Sequence, residues 1–334
     1  MLKDTIIKTV KLVFLAIWLS CCFACQLFSE QRVSREQKST VVTNTDKTEL
    51  FLFAGSGPGQ VGFQPRKLEQ LAEGVSAVAV DPDGSVYVLD RLNRRVLRVA
   101  QGGVSSAAQV PEDTEYLATG ADGTIASYSP LRSRVWLAAD GEDVGQIDIP
   151  RVFREVQRIG IGPSLQVRIF TAFQESFWIG SPNVPRTLGS MLHSKREGAV
   201  FLEDGTGVAV RRLSTGRPEI LQYNTEGQIV DRRLLENEVL AARVIGASCD
   251  AVCLRLEEQM DGPAFHVHRK VDCFSPKTGE VFFSRELPTV GEFVPKIELA
   301  MGGCPARLAF IRPTSEGLHV WIWNLPQVTG RGVQ

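Results

Sequence analysis

Histidine is nearly missing from this chain, with four in 334 residues. A metal site built on imidazole would need most of them to converge. Also missing are His-Glu-x-x-His, Gly-x-Ser-x-Gly and any glycine loop able to cradle a phosphate. Each of these encodes a chemistry, and without them no zinc hydrolase, nucleophile-elbow hydrolase or nucleotide cofactor is written in the local motifs. The expected cofactor set is therefore empty. An excess of one charge is lacking too. The 37 Lys and Arg against 38 Asp and Glu leave a formal charge of -1, which gives no overall attraction to nucleic acid, so nucleic acid is not an expected partner. What is present is globular in type. A content of 43% hydrophobic and 22% charged residues excludes disorder for most of the length, which suits one large or two ordinary domains.

Lys3, Lys8 and Lys11 precede the apolar run LVFLAIWL (Leu12–Leu19), and SCCFAC follows. A cationic start, an apolar centre and a small-residue end form the layout of a secretory signal, read over residues 1–25. Leu12–Phe28 carries no charge, and its 17 residues sit at the bottom of the spanning range, so a retained signal anchor is the alternative. Leu19-Ser20-Cys21-Cys22 resembles a bacterial lipoprotein signal, and Cys22-Phe23-Ala24-Cys25 resembles its last two positions. The resemblance implies lipidation at Cys22 or Cys25 and an exported protein held at the membrane; without the lipid it would be periplasmic or extracellular. Residues 26–48 are polar and poor in aromatics, as expected of a disordered tether.

Beyond the tether the chain repeats. In AVDPDGSVYVLDRLNRRVLRV (Ala79–Val99), Asp83-Gly84 separates two short strands, and both residues suit the positive φ of a tight hairpin. Equivalent turns fall at Asp122-Gly123, Pro163-Ser164 and Asp204-Gly205, with spacings of 39, 41 and 41 residues. A second series interleaves at Gly102-Gly103, Asp140-Gly141, Ser181-Pro182, Glu226-Gly227 and Thr278-Gly279. Two hairpins make four strands, and four strands in about 40 residues is the signature of a propeller blade. SVYVL (Ser85–Leu89), TGVAV (Thr206–Val210), AVCLRL (Ala251–Leu256) and RLAFI (Arg307–Ile311) are apolar on both faces, as strands buried between two neighbouring sheets should be.

The repeats predict an all-β, six-bladed β-propeller over residues 49–326. Its blades lie near 75–109, 115–149, 156–188, 198–235, 244–287 and 296–325, with a C-terminal tail over 327–334. The sixth blade is one strand short. ELFLFAG (Glu49–Gly55) has no partner of its own, and pairing it outside HVWIWN (His319–Asn324) would close the ring without unpaired edges.

GSGPGQVGFQ (Gly55–Gln64), AVDPDGSVYVLD and NRRVLRV (Asn93–Val99) resemble the NHL repeat. That repeat has a glycine-rich turn, a hydrophobic-Asp-x-x-Gly hairpin, a hydrophobic-Asp strand end and Asn-x-Arg-Val. The match covers Gly55–Val99 and fades through Thr119–Gly141, which keeps the turns and the Arg-Val. What the resemblance implies is the fold, since such propellers include protein, RNA and carbohydrate binders as well as lyases and hydrolases.

Four cysteines follow the signal: Cys249, Cys253, Cys273 and Cys304. In an exported chain an even set points to disulfides, and three pairings are open. Internal alignment of the blades puts Cys249 and Cys304 in equivalent turns of adjacent blades, and Cys253 and Cys273 on neighbouring strands, which favours Cys249–Cys304 and Cys253–Cys273. These four include no Cys-x-x-Cys pair, which argues against a cysteine metal site. His266 and His268 are weak metal candidates, because alternation puts both imidazoles on one strand face, with His193 or His319 needed to complete a site. The alignment sets them on a third strand, away from the channel where the resemblance implies a lyase metal. Asp81, Asp83, Asp122, Asp140 and Asp204 occupy turns where backbone geometry explains them. Asp90 is expected to fix the turn into Asn93.

One distributed feature points to function. Loops joining second to third strands share one face of a propeller, and here they hold Arg91, Arg94, Arg95, Arg132, Arg134, Arg211, Arg212, Arg217 and Arg312. The opposite hairpin turns hold Asp81, Asp83, Asp122, Asp140, Glu142, Asp143, Asp204 and Glu226. Solvated strand-end charges would look the same, but planar guanidinium forks suit carboxylated or phosphorylated partners. The sequence therefore predicts a non-catalytic binding module of the bacterial cell envelope, recognising an envelope protein or an anionic glycan through its loop face. The alternative is a metal-assisted lyase or hydrolase with its site in the central channel.

Overall fold

The strand rhythm becomes six antiparallel sheets in the computed structural model. It describes residues 40–333 apart from 45, 68–70, 101–102, 121, 154, 199, 203–204, 236–237, 261–265, 289–292 and 330–331. The expected signal with Cys22 and Cys25, and the expected tether up to residue 39, lie outside the described residues. β1 (Thr40–Asn44) and β2 (Lys47–Phe53) come first in the chain but belong to the last sheet. Blade one contains β3 (Ala77–Val80), β4 (Val86–Asp90), β5 (Arg95–Ala100) and β6 (Gly103–Gln109). Blade two contains β7 (Tyr116–Thr119), β8 (Ile125–Ser129), β9 (Arg134–Ala139) and β10 (Glu142–Asp148). Blade three has β11 (Val156–Gly162), β12 (Gln166–Thr171), β13 (Glu175–Ser181) and the two-residue β14 (Val184–Pro185). A short helix that the repeat pattern did not announce, α1 (Leu188–His193), follows before β15 (Arg196–Glu197) returns to pair with β13. Blade four has β16 (Val200–Phe201), β17 (Gly207–Arg212), β18 (Pro218–Tyr223) and β19 (Ile229–Leu234). Blade five has β20 (Ala241–Ser248), β21 (Ala251–Met260), β22 (His266–Phe274) and β23 (Val281–Glu286). Blade six is β24 (Leu299–Gly302), β25 (Arg307–Thr314) and β26 (Gly317–Asn324), with β2 and then β1 outside them. The protein is a six-bladed β-propeller.

Turn chemistry departs from expectation at Asp83. Only Gly84 takes a positive φ there, +81°. Pro82 supplies the fixed negative φ that starts a type I turn, and Gly84 follows as the left-handed residue. The Asp81 carboxylate accepts from Ser85 N at 2.7 Å and holds the hairpin. At Asp140-Gly141 both residues are left-handed, at 52° and 83°, the mirror-image turn that matches strand twist. Asp204 lies outside the described residues.

The apolar faces of most sheets are covered because the next blade lies against them. Tyr87 and Leu89 of blade one pack with Leu117 and Ile125 of blade two, and Val208 and Ile220 of blade four pack with Val252 and Leu254 of blade five. At the seam, Leu50 and Leu52 join Val320 and Ile311 of blade six and Val78 and Val88 of blade one. β2 pairs antiparallel with β26, Leu50 opposite Val320 and Leu52 opposite Leu318, which is the closing strand expected from the sequence. The sheet starts earlier than expected. Thr40–Asn44 pairs back along Lys47–Phe51, so residues 40–44 and 47–48, assigned to the tether, are strand. TVVTN is rich in β-branched residues and satisfies the edge that β2 would otherwise expose. On its inner side blade six meets blade one directly. Val78 N donates to Ile297 O at 3.0 Å, and a Cβ on Gly302 would lie 2.4 Å from Val80 O, an approach that only glycine permits. Past the last blade, in the expected tail, Val328 pairs with Val333 in a small hairpin.

The NHL-like residues clamp this seam. The Asp90 carboxylate, fully buried, accepts from Gly62 N at 2.9 Å, Asn93 Nδ2 at 2.8 Å and Arg95 Nε at 3.1 Å. Arg95 and Asn93 reach on to the carbonyls of Gly57, Gln60 and Gly55. The loop leaving the closing strand is thereby held against blade one. Two cystines complete the framework, in the pairing that blade alignment favours: Cys249–Cys304 joins blades five and six across 55 residues, and Cys253–Cys273 joins β21 to β22.

Leu52→Ala is expected to lower the unfolding free energy in urea by about 2–5 kcal/mol, whereas an unchanged midpoint would show that the closing strand is dispensable. Asp90→Ala, which strands Arg95 with little solvent, is expected to cost about 3–5 kcal/mol by the same measurement. Replacing Cys249 and Cys304 together by serine is expected to cost about 4 kcal/mol, the chain entropy released by opening the loop.

Candidate functional site

Most of the arginines carried by the loops between second and third strands are engaged within the fold. Arg91 pairs with Glu73, Arg94 with Glu112, Arg134 with Asp148 and Arg211 with Glu219, each at 2.5 Å. Arg132 pairs with Asp113 at 2.8 Å, and Arg95 with Asp90. Arg212 and Arg217 donate to the carbonyls of Val239 and Leu235. Arg312 lies opposite His319 in the β25–β26 ladder. Burial, against the pull of Glu49, and then Arg312 hold the His319 imidazole below its usual range. Apart from the buried Arg95–Asp90 pair, the more exposed of these contribute little to stability, but they answer much of the rim's positive charge from within the chain.

Nearer the axis the balance changes. Arg158 and Arg243, the third residues of the inner strands β11 and β20, line the channel mouth together with Gln157, Arg255, Lys296 and Glu298. Register sets Arg243 directly opposite Arg255. Glu298, 6% exposed, accepts from Arg255 at 2.7 Å and from Arg269. Arg255 also meets Glu257 at 2.5 Å, and Lys296 meets Glu115 at 3.5 Å. Arg243 makes no ion pair among the described residues. It is open to solvent by area yet closely flanked by protein, and loss of water, followed by repulsion from Arg255, holds its guanidinium below the usual range. Arg158 is enclosed by the channel walls. Burial, then Arg243, pushes it down to about 9; it donates to Ile245 O at 3.0 Å and stacks 4.1 Å from the Phe170 ring. Both side chains are still cations at neutral pH, in a place short of water and close to like charge, so an incoming anion is favoured there.

Sequence reasoning missed these residues, although a signal was present. VQRIGIG and AARVIGAS are inner strands of blades three and five, each with an arginine third. A charge inside an apolar inner strand faces the channel, while a charge in a loop has many possible partners.

The candidate metal ligands are dispersed. His268 lies on β22, the third strand of blade five, 3.1 Å from Glu286 and 3.8 Å from Glu258. His193 ends α1 in blade three with Nδ1 2.7 Å from the Gly189 carbonyl, and His319 stacks on Trp321 in blade six. The side chain of His266 lies outside the described residues. Among the described residues no three His, Cys, Asp or Glu are grouped to hold an ion. The turn carboxylates serve backbone geometry: Asp122 accepts from Thr124 N at 3.1 Å, and Asp143 accepts from Gly145 N at 2.8 Å.

Among the described residues no helix is long and apolar enough to cross a membrane. No protein-family model and no curated protein matches the sequence. Solved structures do match. A gluconolactonase from Xanthomonas campestris is similar over 87% of this chain and 95% of its own, at 14% identity and a TM-score of 0.46. A catalytically inactive virginiamycin B lyase from Staphylococcus aureus, solved with quinupristin, is similar over 86% and 96%, at 12% identity and a TM-score of 0.40. A protein of unknown function from Bacteroides caccae is similar over 74% and 93%, at 14% identity and a TM-score of 0.39. Identities this low leave the chemistry of the site to its own residues.

Proposed function

We propose that this chain is a non-catalytic β-propeller binding module of the bacterial cell envelope, which holds an anionic partner, an envelope protein or an anionic glycan, against its loop face. One observation carries the reading. At the channel mouth Arg158, Arg243, Arg255 and Lys296 converge, and Arg243 makes no ion pair among the described residues. A carboxylate or phosphate docked there gives Arg243 the partner that Arg255 already has in Glu257 and Glu298. The rim arginines frame the mouth, with Arg94 and Arg132 still more than half exposed beyond their own partners. Export is supported by the two cystines, which persist in oxidising compartments. Lipidation at Cys22 or Cys25 would tie the disc to the membrane by its N-terminal segment.

A metal-assisted lyase or hydrolase in the channel is the second reading. A wall of guanidinium groups favours an anion over a metal cation, and metal analysis separates the two. Stoichiometric metal lost on replacing His266 and His268 by alanine would favour the enzyme.

Polygalacturonate and poly-L-glutamate are suitable glycan and protein probes. One of them is expected to bind at low ionic strength, to weaken as salt screens the mouth, and to bind Arg243→Glu at least about tenfold more weakly. Unchanged binding by Arg243→Glu, or binding of neither probe by the native protein, would overturn the reading.

A further inference from the structure

Past the mouth, toward the hairpin-turn side, the channel widens into a cavity of about 340 Å³. Its wall is uneven. Val78, Leu117, Ala247 and Leu299 line it from four blades, whereas the inner strand of blade three offers Gly160 and Gly162. With no side chains there, rings from the strands behind come forward. A Cβ on Gly160 would lie 3.2 Å from the Phe170 ring, and one on Gly162 would lie 2.9 Å from the Trp178 indole. Phe201 of blade four faces them, 6.3 Å from Phe170 between ring centres.

Arg168 sits opposite Gly160 in the β11–β12 ladder. Its guanidinium stands 4.0 Å from the Trp178 ring and 4.3 Å from the Phe201 ring. Rings packed this closely against a guanidinium face leave its in-plane edge for hydrogen bonding, the geometry that grips a carboxylate through two parallel bonds. Its Nε is buried without a hydrogen-bond partner among the described residues, so no protein acceptor holds that side of the fork. Burial, then Arg196, pushes this guanidinium down to about 10, so it is a cation at neutral pH. Arg168 makes no ion pair among the described residues, and the Asp81 and Asp122 carboxylates accept from their own hairpins.

We propose that this recess is a second binding site, for a small aromatic carboxylate whose acid group meets the edge of Arg168 and whose ring lies among Phe170, Trp178 and Phe201. A cavity of about 340 Å³ is at the small end of ligand pockets, with room for one or two rings and not for a polymer. The site lies deeper than the loop-face contact and takes a smaller ligand, although Arg158 lines both.

Benzoate and phenylacetate, with benzamide as the neutral control, test the proposal by saturation-transfer NMR and tryptophan fluorescence on the oxidised protein. At least one carboxylate is expected to bind, and benzamide at least tenfold more weakly. Arg168→Gln is expected to lose at least tenfold in affinity, and Arg168→Lys, which keeps the charge without the fork, to fall between. Trp178→Phe is expected to remove the fluorescence response while the NMR signal of binding persists, which places the ligand. If Arg168→Gln does not fold, the lysine variant and the Trp178→Phe readout decide. Failure of both carboxylates to bind, equal binding by Arg168→Lys and native protein, or a fluorescence response that survives Trp178→Phe would overturn the proposal.

Discussion

A ring of sheets must have a seam, and here the backbone pairing of β2 with β26 closes it. Seven residues that arrive first in the chain complete a sheet made from the last, so the two ends of the propeller form one hydrogen-bonded unit. The apolar side of that strand, Leu50 and Leu52, is then pressed between blade six and blade one. Asp90, Asn93 and Arg95 lock the loop that follows it, and Gly302 lets the innermost strand of blade six reach Val80. Every inner strand, and with it every residue facing the channel, takes its position from this closure. Loss of an edge strand elsewhere in a protein frays one sheet; here it would open the disc.

Once the ring is closed, chemistry depends on which side chains the inner strands present. Small and β-branched residues dominate, as expected for strands crowded round an axis. The exceptions concentrate in blades three and five. Arg158 and Arg243 place cations at the loop-face mouth, and Gly160 and Gly162 admit Phe170 and Trp178 from behind. Two environments follow along one channel, a mouth with surplus positive charge and a recess in which a guanidinium lies against aromatic rings. The rim behaves differently, because its charges can rotate toward one another. Arg94 meets Glu112 and Arg132 meets Asp113 across neighbouring loops, and such pairs neutralise most of what a count of arginines suggests.

Much of the architecture was legible because it rests on local rules. Turn residues at spacings of 39 and 41 mark the blades, and doubly apolar strands announce burial on both faces. The closing strand could be read from a missing partner at one end and a spare strand at the other, and the cystine pairing from equivalence between blades. Where reading went astray, a local preference met a competing one. Asp83 was given a left-handed conformation that Pro82 makes unnecessary, TVVTN passed for tether because it is polar, and α1 interrupts a blade that rhythm alone rendered as strands.

By itself, then, the sequence determined the repeat, the all-β class, the number of blades and the way the ring is shut, because each follows from turn geometry and hydrophobic alternation over a few residues. Only the tertiary structure decided which arginines matter to the site. A charge acquires its meaning from the groups that surround it, and those arrive from other blades. Glu112 and Asp113 reach the rim, while Arg243 and Arg255 are set face to face at the mouth and Trp178 and Phe201 close over Arg168. No spacing along the chain records those meetings, since the distance that fixes an electrostatic interaction runs through space.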